Sequence, residues 1–193
     1  MEDDSNDEDL ALMAKIARGD DDAFRLLVEK HQHAVVGTIS KMTNHSPDSE
    51  DIAQQVFVRL WKSAKRYKPT AKFTTYLFTI TRNLVFNATR QKSRRKEHSM
   101  EEQEDEWHQA VADPASSSRP DQNLENSELR EVIDQAIASL PEKQRLAVIL
   151  RRHEQMSYDE IATSLDLSVS ALKSQLFRAR TTLREALEPY LKA

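Results

Sequence analysis

Residues 157–187 of this 193-residue chain bring together side chains whose types and spacing fit the reading of duplex DNA. Ser157-Tyr158-Asp159-Glu160 has the form of a capping box, with Tyr158, Ile161, Ala162 and Leu165 on the inward face of the short helix it starts. Asp166-Leu167 breaks that helix and Ser168 can cap the next. A helix-turn-helix needs this sequence of features: a small residue such as Ala162 where two helices cross, a sharp bend, and a second helix that buries one face and offers the other. Gly is the usual residue at the bend; Asp is tolerated there because it can enter left-handed backbone space. The second helix is expected to bury Val169, Leu172, Leu176, Ala179 and Leu183 and to present Ser170, Lys173, Ser174, Phe177, Arg178 and Thr181. No acid occurs from Leu167 to Leu183. Short hydroxyls and cations at the start of such a helix can reach bases and phosphates in the major groove, although a basic surface helix in a plain bundle would share part of the pattern.

A second set lies upstream. From Arg59 to Lys96 there are twelve Lys or Arg and no Asp or Glu, a block that is either a solvated face or a phosphate-binding one. Within it Tyr76, Asn83, Asn87 and Arg90 share one side of a predicted helix, with Phe86 nearby. Amides read base edges, aromatics stack on unpaired bases and the neighbouring cations hold phosphates, but an ordinary wet face would look the same by spacing.

The elements that must position these residues are helical. With 2 Gly and 31% charged residues the chain has few places for tight hairpin turns, while a 38% apolar share suffices for helical cores, so an all-α protein is expected. Short helices are predicted over Leu10–Arg18 and Asp22–Met42. A longer one restarts at Ser46-Pro47, where Ser46 can cap and Pro47 suits the first helical position, and carries Ile52, Val56, Phe57, Leu60, Trp61 and Ala64 to about Lys65. Residues 73–81 are rich in β-branched and aromatic types, yet Phe73, Leu77, Ile80 and Leu84 recur at helical spacing and predict a helix. Leu140-Pro141 opens a supporting helix whose Leu146, Ile149 and Leu150 would pack beneath the pair. Between Glu97 and Asn126 nine acids face Arg119 alone, and apolar periodicity vanishes. The expected organisation is therefore two small helical domains, 8–96 and 124–193, joined by a flexible acidic linker over 97–123.

Several function classes are disfavoured. The absence of Cys removes disulfide frameworks and thiolate metal sites, and His31, His33 and His45 are too loosely spaced to argue for a metal, so no cofactor is expected and these histidines are read as surface residues. No apolar run is long enough for a membrane helix, and the acidic Met1–Asp9 is unlike a signal peptide; a cytoplasmic protein without membrane insertion is the expectation. An enzyme acting on DNA would need a carboxylate cluster or an activated nucleophile, which the basic block does not offer. A self-sufficient helix-turn-helix repressor would instead bind an operator unaided, usually as a dimer.

Three stretches in order, Asp51-Ile-Ala-Gln54-Gln55-Val-Phe57-Val-Arg-Leu-Trp61, Phe73-Thr-Thr-Tyr76 through Asn83, and Leu140-Pro141 followed by Ser157–Ala162 and Val169–Arg180, resemble the extracytoplasmic-function sigma factors of bacterial RNA polymerase. The resemblance implies a region 2-like bundle, a region 4-like helix-turn-helix domain, and a non-catalytic initiation factor that assists promoter melting. It implies that Asp51, Gln54, Gln55, Phe57 and Trp61 bind the β′ clamp helices of core polymerase, with Gln55 where the family commonly has Glu; by spacing alone Phe57 and Trp61 fit the core equally well. Lys72, Phe73, Tyr76, Asn83, Asn87 and Arg90 would capture the minus-ten element, Tyr76 replacing a frequent Trp. Ser168, Ser170, Lys173, Ser174, Arg178 and Arg180 would contact the minus-thirty-five element. The β flap and an anti-sigma factor are further partners that the family implies.

Overall fold

The computed structural model describes the backbone of residues 2–100 and 120–191 and the side chains of residues 4–94 and 130–190. Most of the expected linker lies outside the described residues. Among the described residues there are eight α-helices, one 3-10 turn and no strand. The first four are α1 (Glu2–Ile16), α2 (Asp21–Met42), α3 (Ser49–Ser63) and α4 (Phe73–Met100), with the 3-10 turn over Ala64–Arg66 after α3. The second four are α5 (Pro120–Ser139), α6 (Glu142–Arg152), α7 (Tyr158–Leu165) and α8 (Val169–Leu191). The aromatic, β-branched segment 73–81 is helical, so its apolar periodicity outweighs its strand propensity.

The first bundle forms because each helix buries one stripe. Along α2 the buried residues Ala23, Leu27, His31, Val35, Thr38, Ile39 and Met42 recur at three- and four-residue steps, and α3 buries Ile52, Ala53, Val56, Phe57 and Leu60 likewise. Asp20 caps α2, its carboxylate accepting the Ala23 N–H at 2.9 Å, and Gly19 before it adopts φ 90°, which an L side chain rarely does. Two boundaries depart from expectation. Helix α1 begins at Glu2 rather than near Leu10, because its acidic first turns are tied to α2 and α4 by side chains that no apolar period records. Helix α3 begins at Ser49 rather than Pro47: the Ser46 hydroxyl donates to Asp48 at 3.1 Å and its carbonyl accepts the Ser49 N–H at 3.0 Å, so Ser46–Asp48 is a turn preceding the helix.

In the second bundle Leu146, Ile149 and Leu150 of α6 are buried together with Ile161, Ala162 and Leu165 of α7 and Leu172, Leu176 and Ala179 of α8, as their spacing predicts. Val169 and Leu183 are only half-buried, being at the margins of the stripe.

The two bundles pack against each other through one continuous apolar cluster and through polar side chains. Arg145 of α6 donates to the carbonyl of Met42 at 2.9 Å, to that of Leu140 at 3.0 Å and to that of Ala138. Thr38 donates to Glu154 at 3.4 Å, Thr89 to Glu142, and the fully buried Ser164 hydroxyl to the carbonyl of Thr75 at 3.2 Å. Burial raises the Glu154 carboxyl above the ordinary carboxylate range, against the lowering effects of the Thr38 hydrogen bond, Lys41 and His31.

Candidate nucleic-acid interface

The helix-turn-helix is built by local hydrogen bonds. At the start of α7 the Ser157 hydroxyl accepts the Glu160 N–H at 3.3 Å, while Glu160 Oε2 accepts the Ser157 N–H at 2.6 Å, completing the capping box. Asp166 takes the left-handed conformation at φ 55°, ψ 54°, and the next N–H, that of Leu167, reaches back to the carbonyl of Ala162 at 2.9 Å. That is the helix-terminating geometry in which Gly is commonest, here carried by Asp. The Ser168 hydroxyl then accepts the Ala171 N–H at 3.1 Å and starts α8.

At the cap of α8 and along it, all six residues singled out by the sequence, Ser168, Ser170, Lys173, Ser174, Arg178 and Arg180, are exposed. Arg180 reaches the Tyr158 hydroxyl at 3.4 Å, and the Arg151 guanidinium lies 5.3 Å from the centroid of that ring, so three cationic or aromatic groups from three helices meet at one end of the face. Phe177, in the middle of this face, is 71% exposed, a large apolar surface left in water. The sequence places it outward, but nothing in its period marks it as a candidate contact.

The second candidate face runs along α4. Asn83, Asn87 and Arg90 are exposed at positions i, i+4 and i+7, and the half-buried Tyr76 lies two turns before Asn83 on the same side. Tyr76 is held by its hydroxyl, 2.7 Å from Ser63 Oγ, and by Tyr67, whose ring centroid is 4.7 Å away. Tyr67 was not legible as a candidate because it stands in an irregular connection; its position between Arg66 and Lys68 is the available signal. Its hydroxyl has no hydrogen-bond partner among the described residues, and burial pushes the phenol up, aided by Tyr76 and Asp9.

Three aromatics that the sequence left near the candidate faces are buried. Phe73 is wholly buried, packed against His31 at 5.2 Å between ring centroids and Tyr67 at 6.5 Å, so it anchors α4 rather than facing outward. Phe57 is 7% exposed, on the inward face of α3. Phe86 also points into the core, since its position falls on the buried side of α4. His31, expected at the surface, is buried with its Nε2 3.0 Å from Asp9 Oδ2, while Lys30 Nζ lies 2.7 Å from Asp9 Oδ1.

On α3, Asp51, Gln54 and Gln55 form an exposed stripe and Trp61 is half-buried, edge-on to Phe24 at 4.9 Å between centroids. Val58, about half exposed, extends the apolar surface formed by Phe24 and Trp61, and Leu26 is exposed to the same degree on α2. They escape sequence reasoning because a lone exposed aliphatic has no period of its own.

Lys72 immediately precedes α4, and its Nζ lies 3.0 Å from Glu160 Oε1 of the capping box. Glu160 thus joins the two candidate faces. Burial raises its carboxyl, but the Ser157 N–H, Lys72 and the Ser157 hydroxyl together outweigh burial and hold it below the ordinary range. Among the described residues no group of three or more acidic or histidine side chains is placed to hold a metal ion, and no helix is long and apolar enough to cross a membrane.

Comparison with known proteins gives two family matches: sigma-70 region 2 over residues 27–95 and sigma-70 region 4 over residues 130–183. The chain is 32% identical over 192 residues to the RNA polymerase sigma-H factor of Pseudomonas aeruginosa, covering 97% of this chain and 98% of that protein. It is 30% identical over 185 residues to the ECF RNA polymerase sigma-E factor of Escherichia coli K12, covering 95% and 96%. In fold it resembles CnrH, solved with the cytosolic domain of CnrY, at a TM-score of 0.68 and 24% identity over 94% of this chain and 98% of that one. RpoE from Bartonella quintana, solved with the anti-sigma factor NepR, gives 0.68 and 22% over 86% and 96%.

Proposed function

Because this chain belongs to the sigma-70 family, in its extracytoplasmic-function branch, and is a promoter-recognising transcription initiation factor, we propose a division of labour among its faces. The bundle within 8–96 binds core polymerase and the minus-ten element, and the one within 124–193 docks in the minus-thirty-five element. The observation that supports this most directly is the pair of exposed faces: hydroxyls and cations, without an acid from Leu167 to Leu183, on the first turns of α8, and amides with an aromatic on α4.

On α8, Lys173, Arg178 and Arg180 meet phosphates or guanine edges, and Ser168, Ser170 and Ser174 allow close approach in the major groove. On α4, Asn83 and Asn87 read the edges of separated bases, Arg90 and Lys72 hold the backbone, and Tyr76, backed by Tyr67, supplies the stacking surface. Each stacked base contributes about 1–3 kcal/mol, so a few of them offset the unpairing of a short segment without any covalent chemistry. The exposed Asp51, Gln54 and Gln55, with Trp61, form the surface for the β′ clamp helices. The β flap and an anti-sigma factor are the other partners of this reading, in the cytoplasm where the polymerase works.

The elements named minus-ten and minus-thirty-five lie roughly 25 base pairs apart, or about 85 Å of duplex at about 3.4 Å per base pair. With Lys72 and Glu160 3.0 Å apart, the bundles cannot occupy both elements in the arrangement seen here. They separate on forming the initiation complex.

Run-off transcription with core polymerase, with and without this protein, tests the reading. Specific initiation is expected only with the protein present. The double variant Lys173→Ala, Arg178→Ala should weaken promoter binding at least about tenfold and flatten its salt dependence by about two units of slope, with core binding unchanged. Operator binding by the chain alone, with no polymerase-dependent initiation, would favour a free-standing repressor; equal loss of core and promoter binding would refute the division of labour.

A further inference from the structure

We propose that Asn6, on α1 and upstream of the matched sigma-70 region 2, is a positioning residue for promoter opening: it sets the first turn of the minus-ten helix α4. The inference rests on the assignment of α4 to the minus-ten element made above.

The N-terminus of an α-helix leaves its first N–H groups without intrahelical acceptors, and a Ser, Thr, Asp or Asn just before the helix ordinarily supplies one. The residue before α4 is Lys72, a donor that cannot do so. The acceptor comes instead from 67 residues upstream: Asn6 Oδ1 takes the Phe73 N–H at 2.9 Å.

Asn6 is itself held in place. Two turns of α1 beyond it Met13 and Ile16 are buried, and Asp9 sits 2% exposed between Lys30 Nζ at 2.7 Å and His31 Nε2 at 3.0 Å. Lys30 also binds Glu8 at 2.7 Å and the carbonyl of Ser5 at 3.1 Å, clasping the turn that carries Asn6. His31 in turn packs on the Phe73 ring. Phe73 is therefore gripped at both ends, its N–H by Asn6 and its ring by the histidine that Asp9 orients. The two residues of this turn that point toward DNA, Lys72 and Tyr76, flank it. Loss of Asn6 leaves the Phe73 ring in the core, so the bundle persists, but it releases the direction in which the helix starts.

The test uses holoenzyme reconstituted from core polymerase and the full chain, on a promoter where run-off transcription shows specific initiation. Opening is followed by permanganate reactivity of minus-ten thymines, alongside core affinity, the minus-thirty-five footprint and the unfolding temperature. Asn6→Ala should slow opening about three- to tenfold, with core affinity and footprint within about twofold of wild type; tenfold corresponds to about 1.4 kcal/mol, the size of one cap. Asn6→Asp, which keeps the acceptor, should restore opening to within about twofold. Wild-type opening by Asn6→Ala, failure of Asn6→Asp to rescue, or parallel loss of core affinity would each overturn the proposal. An Asn83→Ala, Asn87→Ala variant run in parallel separates the two levels. If it opens slowly while Asn6→Ala opens normally, only the role of Asn6 falls; if it opens at the wild-type rate, the assignment of α4 falls and this proposal with it.

Discussion

Removing Lys72 and Glu160 singly and together measures the contact between the two bundles in solution. Lys72 is 40% exposed in its side chain and Glu160 16%, so water screens the pair and its coupling should be that of a surface ion pair, about 0.5–1 kcal/mol at low salt. Glu160→Ala also removes the acceptor of the Ser157 N–H and with it half of the capping box, which adds about 1 kcal/mol. The expected pattern is asymmetric: Lys72→Ala costs about 0.5–1 kcal/mol, Glu160→Ala about 1.5–2, and the double variant less than their sum by the coupling energy. Urea unfolding followed by tryptophan fluorescence at low and high ionic strength provides the numbers. The coupling should shrink as salt shortens the screening length, while the capping loss should not. Because the folded Glu160 carboxyl lies below its unfolded value, its contribution is present above the ordinary carboxylate pKa and is lost as pH falls through the depressed one. Single effects that add to within about 0.3 kcal/mol at low salt would refute a formed Lys72–Glu160 contact. Equal effects of Glu160→Ala and Glu160→Gln would refute the distinction between cap and ion pair.

Two further substitutions address the turn and the interface. Asp166→Gly should be neutral or stabilising by up to about 1 kcal/mol in thermal unfolding, and Asp166→Val destabilising by about 1–2 kcal/mol, because φ 55° strains a β-branched residue; a tolerated Val would contradict the left-handed turn. Glu154→Gln should stabilise the chain near neutral pH, since the folded carboxyl lies above its unfolded value and its favourable contribution, full below the unfolded pKa, is lost as pH rises through the folded one. The advantage should vanish below the ordinary carboxylate range in a pH series of unfolding midpoints, and a gain that persists there would exclude burial of the charge as its cause.

What could be read from the sequence was whatever local rules determine. The capping box at Ser157, the bend at Asp166 and the Ser168 cap are made by residues within five positions of one another, so their pattern specifies their geometry. Helix periodicity likewise assigned 73–81 and the exposed amides of α4. The misses are long-range. Phe73 and Phe57 lie on apolar stripes that predict burial, while their place within the family motifs suggests contact, and only their neighbours from other helices decide between the two. His31 looks like a surface histidine until Asp9, 22 residues away, is placed against it. The early start of α1 was hidden because its first turns are stabilised by partners on α2 and α4. Tyr67 and Val58 matter only by adjacency, which no single helix wheel contains.

Arg145 bears on how easily the two halves part. Its guanidinium binds carbonyls at Ala138 and Leu140 on its own side and only one, that of Met42, on the other. A cation that depended wholly on the opposite bundle would be stranded by separation, and stranding a half-buried charge is costly. Here the departing partner is a single carbonyl at the end of α2, which water can replace, while the cation keeps its remaining ligands. The hydroxyls and carboxylates that also cross the boundary, Thr38–Glu154 and Thr89–Glu142, are likewise groups that water accepts. The apolar side chains that the two bundles share in one continuous cluster are not, and their exposure is what opposes parting. The balance between joined and parted forms is therefore set by apolar burial rather than by an orphaned charge, and a DNA or polymerase surface that covers the exposed apolar groups would favour the parted one.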